Sequence, residues 1–197
     1  MKTTKPVSTI SFNSPLFLEL KLKELEKAGI ISFWAFIHHL PEDDECGKKE
    51  HNHLFLEPSK LIQTDELKKE FIEPDGANPT KPLGCISFFK SVFSHWYLYA
   101  LHDKGYLLSK GQTRRYQYKH EEIVSSCKDE ILFRSRTIDH LAISPYSAMI
   151  DAMEHGISWE QYFARGTVPL NQVLQMSKAW ELLARGATFR NGKEGHE

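Results

Sequence analysis

Two runs constrain this chain more than anything else in it: Ile31–Leu40 (Ile-Ser-Phe-Trp-Ala-Phe-Ile-His-His-Leu) and His51–Glu57 (His-Asn-His-Leu-Phe-Leu-Glu). Both are rich in aromatic or branched apolar residues and too short for a typical helix, so both read as strands. Side chains alternate along a strand, which puts His51, His53 and Phe55 on one face and Asn52, Leu54 and Leu56 on the other. Two imidazoles two positions apart project in parallel, a ready start for a metal site. If the runs pair antiparallel across residues 41–50, the end of the first lies beside the start of the second. His39 and Glu42, the latter in the acidic loop Pro41–Glu45, then approach His51 and His53. Taken singly, each histidine reads more simply as a half-exposed strand residue. The convergence of four histidines and several carboxylates on one hairpin is what favours a metal. The string His51-Asn52-His53 is not the nuclease motif of that nickname, whose named residues lie far apart in sequence.

The rest of the chain sets limits on what surrounds that hairpin. Its 197 residues suffice for one full domain and a small appendage, and 41% hydrophobic with 26% charged residues is ordinary for a globular protein. A formal net charge of −1 gives no global signal for nucleic acid or membrane, so any DNA-binding surface is local. Three cysteines in unrelated contexts (Cys46, Cys85, Cys127) argue against a disulfide framework. With no N-terminal signal pattern and no apolar run long enough to cross a bilayer, a cytoplasmic protein is expected.

Val7–Phe12 reads as a first strand. Pro15–Ala28 reads as an amphipathic helix stopped by Gly29. A helix over Asp65–Phe71, a turn-rich break over Pro74–Pro79, a strand over Gly84–Phe89 and a helix over Ser91–Asp103 follow. The expected class is therefore α+β: an antiparallel sheet of three or four strands with helices on one side. From about Cys127 the pattern turns helical, over Ser144–His155, Ser158–Ala164 and Pro169–Ala184. The division expected is 1–126 for the main domain, 127–186 for a C-terminal helical appendage and 187–197 for a mobile tail.

On the helix 91–103, His95, Tyr99 and His102 fall in one row at spacings of four and three. Phe93, Trp96, Tyr97, Ala100 and Leu101 form most of the core-facing stripe. Alone, Tyr99 reads as an amphipathic residue at the edge of the core. Beside a metal site it acquires a chemical reason. A phenol, with an unperturbed pKa of about 10, is a poor nucleophile near neutral pH. A divalent cation on a scissile phosphate raises its electrophilicity and neutralises developing charge, which suits in-line attack by a tyrosine.

His51-Asn52-His53 on a strand with Tyr99 on a later helix resembles the HUH endonucleases, and more narrowly the rolling-circle replication initiators of small plasmids. The similarity extends to an upstream His39 with Glu42 three positions on, to Tyr99-Ala100-Leu101-His102, and to the aromatic and basic run Arg115–Lys119. It spans roughly residues 5–125. Two departures stand out: Asn52 occupies a position usually hydrophobic, and Glu42 one usually aspartate. The doubled His38-His39 leaves the third imidazole open by one position, with His39 preferred for its step to Glu42.

The resemblance implies a ferredoxin-like HUH nuclease sheet flanked by helices, Tyr99 as the nucleophile and His39, Glu42, His51 and His53 as ligands of Mn²⁺ or Mg²⁺. Imidazole donors favour Mn²⁺, since Mg²⁺ prefers oxygen and water. The implied partners are single- and double-stranded origin DNA. Lys110, Arg114, Arg115 and Lys119 suit a DNA backbone, and Tyr116 and Tyr118 among them suit stacking on unpaired bases. A solvated loop leading into a strand explains those six residues equally well. The C-terminal helices suggest homo-oligomerisation, slightly ahead of origin binding. Two other functions fit the same residues: a related nickase serving plasmid transfer or transposition, and a non-catalytic origin-binding protein.

Overall fold

A computed structural model gives the fold and describes residues 2–41, 49–72, 83–84, 87–88, 93–135, 140–165, 168, 172–185 and 190–191. The strands are β1 (Lys2–Thr3), β2 (Val7–Ser11), β3 (Ile31–His39), β4 (His51–Pro58), β5 (Ile62–Gln63), β6 (Ser87–Phe88), β7 (Tyr116–Gln117), β8 (Val124–Ser125) and β9 (Arg190–Asn191). The helices are α1 (Pro15–Lys27), α2 (Thr64–Glu70), α3 (Phe93–Ala100), α4 (Lys104–Ser109), α5 (Lys128–Ser135), α6 (His140–Glu154), α7 (Trp159–Ala164) and α8 (Val173–Ala184). The class is α+β, with an antiparallel main sheet. Among the described residues that sheet has five strands in the order β6-β2-β4-β3-β8, so the strand carrying His51 and His53 is central. The expected turn over 74–79 lies outside the described residues.

Both faces of the sheet are covered, rather than one. Trp34 and Phe36 of β3 and Leu54 and Leu56 of β4 pack with Leu18, Leu22 and Leu25 of α1 and with Leu67 of α2. Phe33, Ala35, Ile37 and Phe55, from the alternate positions, pack with Phe93, Trp96 and Ala100 of α3 and Ile131 of α5. The unbroken apolar run Phe33–Ile37 has this cause: a strand between two helical layers needs apolar side chains on both faces.

Local signals place the flanking helices. Ser14 caps α1, its hydroxyl accepting from the Phe17 amide at 3.3 Å, and Pro15 opens the helix where a missing N–H costs nothing. Gly29 ends it at φ +64°, a left-handed conformation that favours glycine.

α5 belongs to the sheet rather than to the helices after it. Arg134 lays its guanidinium 4.4 Å from the Phe33 ring centroid and bonds both carboxylate oxygens of Glu57 as well as Glu130. The later helices form a separate core, in which Tyr146, Met149, Tyr162 and Met176 pack together with Leu108 of α4. Within the expected tail, β9 runs parallel to β7, with Arg190 opposite Tyr116 and Asn191 opposite Gln117.

Candidate metal centre and its tyrosine

The register of β3 on β4 builds the site. His39 stands opposite His51 and Ile37 opposite His53, so His39, His51 and His53 share the face covered by α3. All three are buried, and their ligand atoms lie within 4.8 Å of one another, close enough to hold a metal ion. His38 faces the other way, toward Asn52 Oδ1 at 3.1 Å and Glu50 at 3.0 Å. Of the doubled histidines it is therefore His39 that joins His51 and His53. Glu42 itself lies outside the described residues.

Backbone carbonyls select the tautomers. A carbonyl only accepts, so the imidazole nitrogen beside it carries the proton and the other nitrogen of the neutral ring keeps its lone pair. His39 donates from Nε2 to Ala100 O at 2.7 Å, and His51 donates from Nδ1 to Lys49 O at 2.7 Å. The lone pair of His51 is thus on Nε2, 3.3 Å from Nε2 of His53. That separation suits either one shared proton or two nitrogens directed at one cation. Burial above all, then the neighbouring His53 and His102, holds His39 well below the usual imidazole range, against a smaller opposing effect of the Ala100 carbonyl. Three buried imidazoles, two of them oriented by backbone carbonyls, fit a divalent transition cation.

The ring of Tyr118 stacks on His39 at 4.2 Å with 4° between planes, and its hydroxyl accepts from the Leu40 amide at 3.3 Å. Tyr116 and Tyr118 are 6% and 4% exposed, so their rings serve the core and the triad. This corrects the expectation that they stack on unpaired bases. Both come from a run whose alternation points the tyrosines inward and Arg115, Gln117 and Lys119 outward. Arg114 is also buried, its guanidinium donating to Thr113 O at 2.7 Å and Gln112 Oε1 at 3.3 Å, whereas Lys110, Arg115 and Lys119 are exposed.

The expected row His95-Tyr99-His102 divides at the end of α3. Asp103 caps α4, its Oδ1 accepting from the Tyr106 amide at 2.8 Å, and the chain turns into that cap through His102 at φ +53°. His102 consequently swings inward, donating from Nδ1 to Tyr116 O at 3.0 Å with its ring 4.4 Å from that of His39. His95 stays exposed. An Asp followed by the short run Lys104–Ser109 was the signal for this break.

Tyr99 is half-buried and meets His53 edge to face at 5.3 Å, with 85° between rings. Tyr97 packs instead against the core and its hydroxyl lies 2.9 Å from His120 Nδ1. Of the two, Tyr99 is the phenol at the imidazoles.

No known protein-family profile and no curated protein matches this chain. Among the described residues, no helix is long and apolar enough to cross a membrane.

Proposed function

We propose that this protein is a metal-dependent single-stranded DNA nickase and strand transferase of the HUH type that initiates rolling-circle replication. The observation carrying this reading is the edge contact of Tyr99 with His53, one of three buried imidazoles spaced for a cation. Support for the HUH fold comes from the imidazole pair on the central strand of an antiparallel sheet and the tyrosine on a helix covering that face.

The triad holds the cation, with His39 and His51 oriented by their backbone partners, and Mn²⁺ suits the imidazole donors better than Mg²⁺. The bound cation supplies charge neutralisation at the scissile phosphate. Tyr99 Oη forms a bond to phosphorus while the bond to the 3′ oxygen breaks. The 5′ end is left as a phosphotyrosine ester, and the departing 3′ oxygen takes up a proton equivalent to the one the phenol gives to solvent. Because ester replaces ester, a 3′ hydroxyl can later reverse the step and rejoin DNA.

Incubation with a randomised single-stranded DNA pool and Mn²⁺, followed by denaturing electrophoresis, tests this. A covalent protein–DNA band that is absent for Tyr99→Phe is expected. A band of equal strength from Tyr99→Phe refutes Tyr99 as nucleophile, and no band at all leaves a non-catalytic binder.

A further inference from the structure

With Tyr116 and Tyr118 turned into the core, the exposed aromatic and cationic groups beside Tyr99 lie elsewhere. His95 is four residues before Tyr99 on α3, so the two share a helix face. Across from it, the Tyr106 ring of α4 sits 5.8 Å from the His95 ring, with 32° between planes. Lys110, just beyond α4, holds its ammonium 5.4 Å from the centroid of Tyr106. His95 and Lys110 are exposed and Tyr106 half-buried. Burial first, and the Tyr99 phenol second, push the Tyr106 hydroxyl above its ordinary range, which marks the two phenols as electrostatic neighbours.

Two rings and an ammonium leading away from a nucleophilic tyrosine match one polymer in particular. Single-stranded nucleic acid offers a flat face at every base and a charge at every phosphate, so stacking rings interleaved with cations bind it with little regard to sequence. A polypeptide shares neither feature at each repeat. We infer that His95, Tyr106 and Lys110 form the track on which the single strand leading to Tyr99 lies, bases against the rings and a phosphate at Lys110. This rests on the nickase reading and names the surface on which its substrate approaches.

The test is fluorescence anisotropy of labelled oligothymidylate with the full chain, metal chelated, over a range of salt concentrations. Tyr106→Leu should weaken binding about 5-fold or more, as loss of one stacked base does, while Tyr106→Phe, which keeps the ring, should bind like the unaltered protein. Lys110→Gln, an exposed change that leaves thermal unfolding as it was, should lower the slope of log affinity against log salt by about 0.7. Unchanged binding by both Tyr106→Leu and Lys110→Gln overturns the track, as does equal loss in Tyr106→Phe and Tyr106→Leu. Failure of the unaltered protein to bind oligothymidylate overturns it too. The Tyr99 adduct assay is read separately: an adduct with unaffected Lys110 and Tyr106 variants sinks the track alone, and neither binding nor adduct sinks the nickase reading with it.

Discussion

His39 donates from Nε2 to the carbonyl oxygen of Ala100 at 2.7 Å, tying the third imidazole to the residue next to Tyr99. The last carbonyls of a helix have no partner within it, so one side chain both closes the end of α3 and belongs to the imidazole cluster. Helix position and imidazole orientation are set by the same bond.

His39→Ala should therefore lower Mn²⁺ affinity at least 10-fold, since it removes a donor and strands a buried carbonyl, whereas loss of an outer-shell partner alone costs about 10- to 100-fold. His38→Ala should leave affinity nearly unchanged because His38 points to Glu50 and Asn52. Isothermal calorimetry on the two variants decides, and the reverse ranking would put the strand register off by one.

Tyr99→Phe should lose the covalent adduct entirely while keeping its thermal unfolding temperature. Tyr97→Phe should retain most cleavage, as it gives up hydroxyl contacts with His120 and Ser135 and none with the triad. Gel assays of both distinguish them, and loss of cleavage in the Tyr97 variant alone would move the nucleophile.

Asn52→Leu restores the hydrophobic residue usual in the resembled family, and should nevertheless destabilise this chain. Asn52 is fully buried, donates to Asn13 O at 2.8 Å and to Ser11 O at 3.4 Å, and faces away from the triad. Stranding those carbonyls costs about 1–3 kcal/mol. Urea unfolding should show that loss, with Mn²⁺ affinity retained.

Metal-free protein should lose stability in acid. His39 titrates well below its unfolded value of about 6.5, so below that pH the unfolded chain binds protons that the folded chain refuses. The contribution is complete above pH ~6.5 and falls by up to about 1.4 kcal/mol per pH unit as pH drops toward the folded value. Urea midpoints measured with chelator across that range should show the slope, and His39→Gln should flatten it.

The hairpin was legible from strand periodicity, which leaves only two choices at each position and so put His38 and His39 on opposite faces. Tyr116 and Tyr118 were not, because a tyrosine between basic residues has the same local composition whether its ring is buried or open; burial came from Leu101, whose carbonyl accepts from the Tyr118 amide, and from His39. The inward turn of His102 depended on the cap at Asp103, which helical spacing alone overrode. β8, only two residues long, offers no period to detect. The second helical layer was foreshadowed by Phe33–Ile37, apolar on both faces.

The bond between His39 and Ala100 spans 61 positions, and that between Leu40 and Tyr118 spans 78. During synthesis, His39 leaves the ribosome long before the Ala100 carbonyl and the Tyr118 ring that hold it. The orientation of the third imidazole is thus completed only when the segment around Ala100–Tyr118 has been made and has folded against β3.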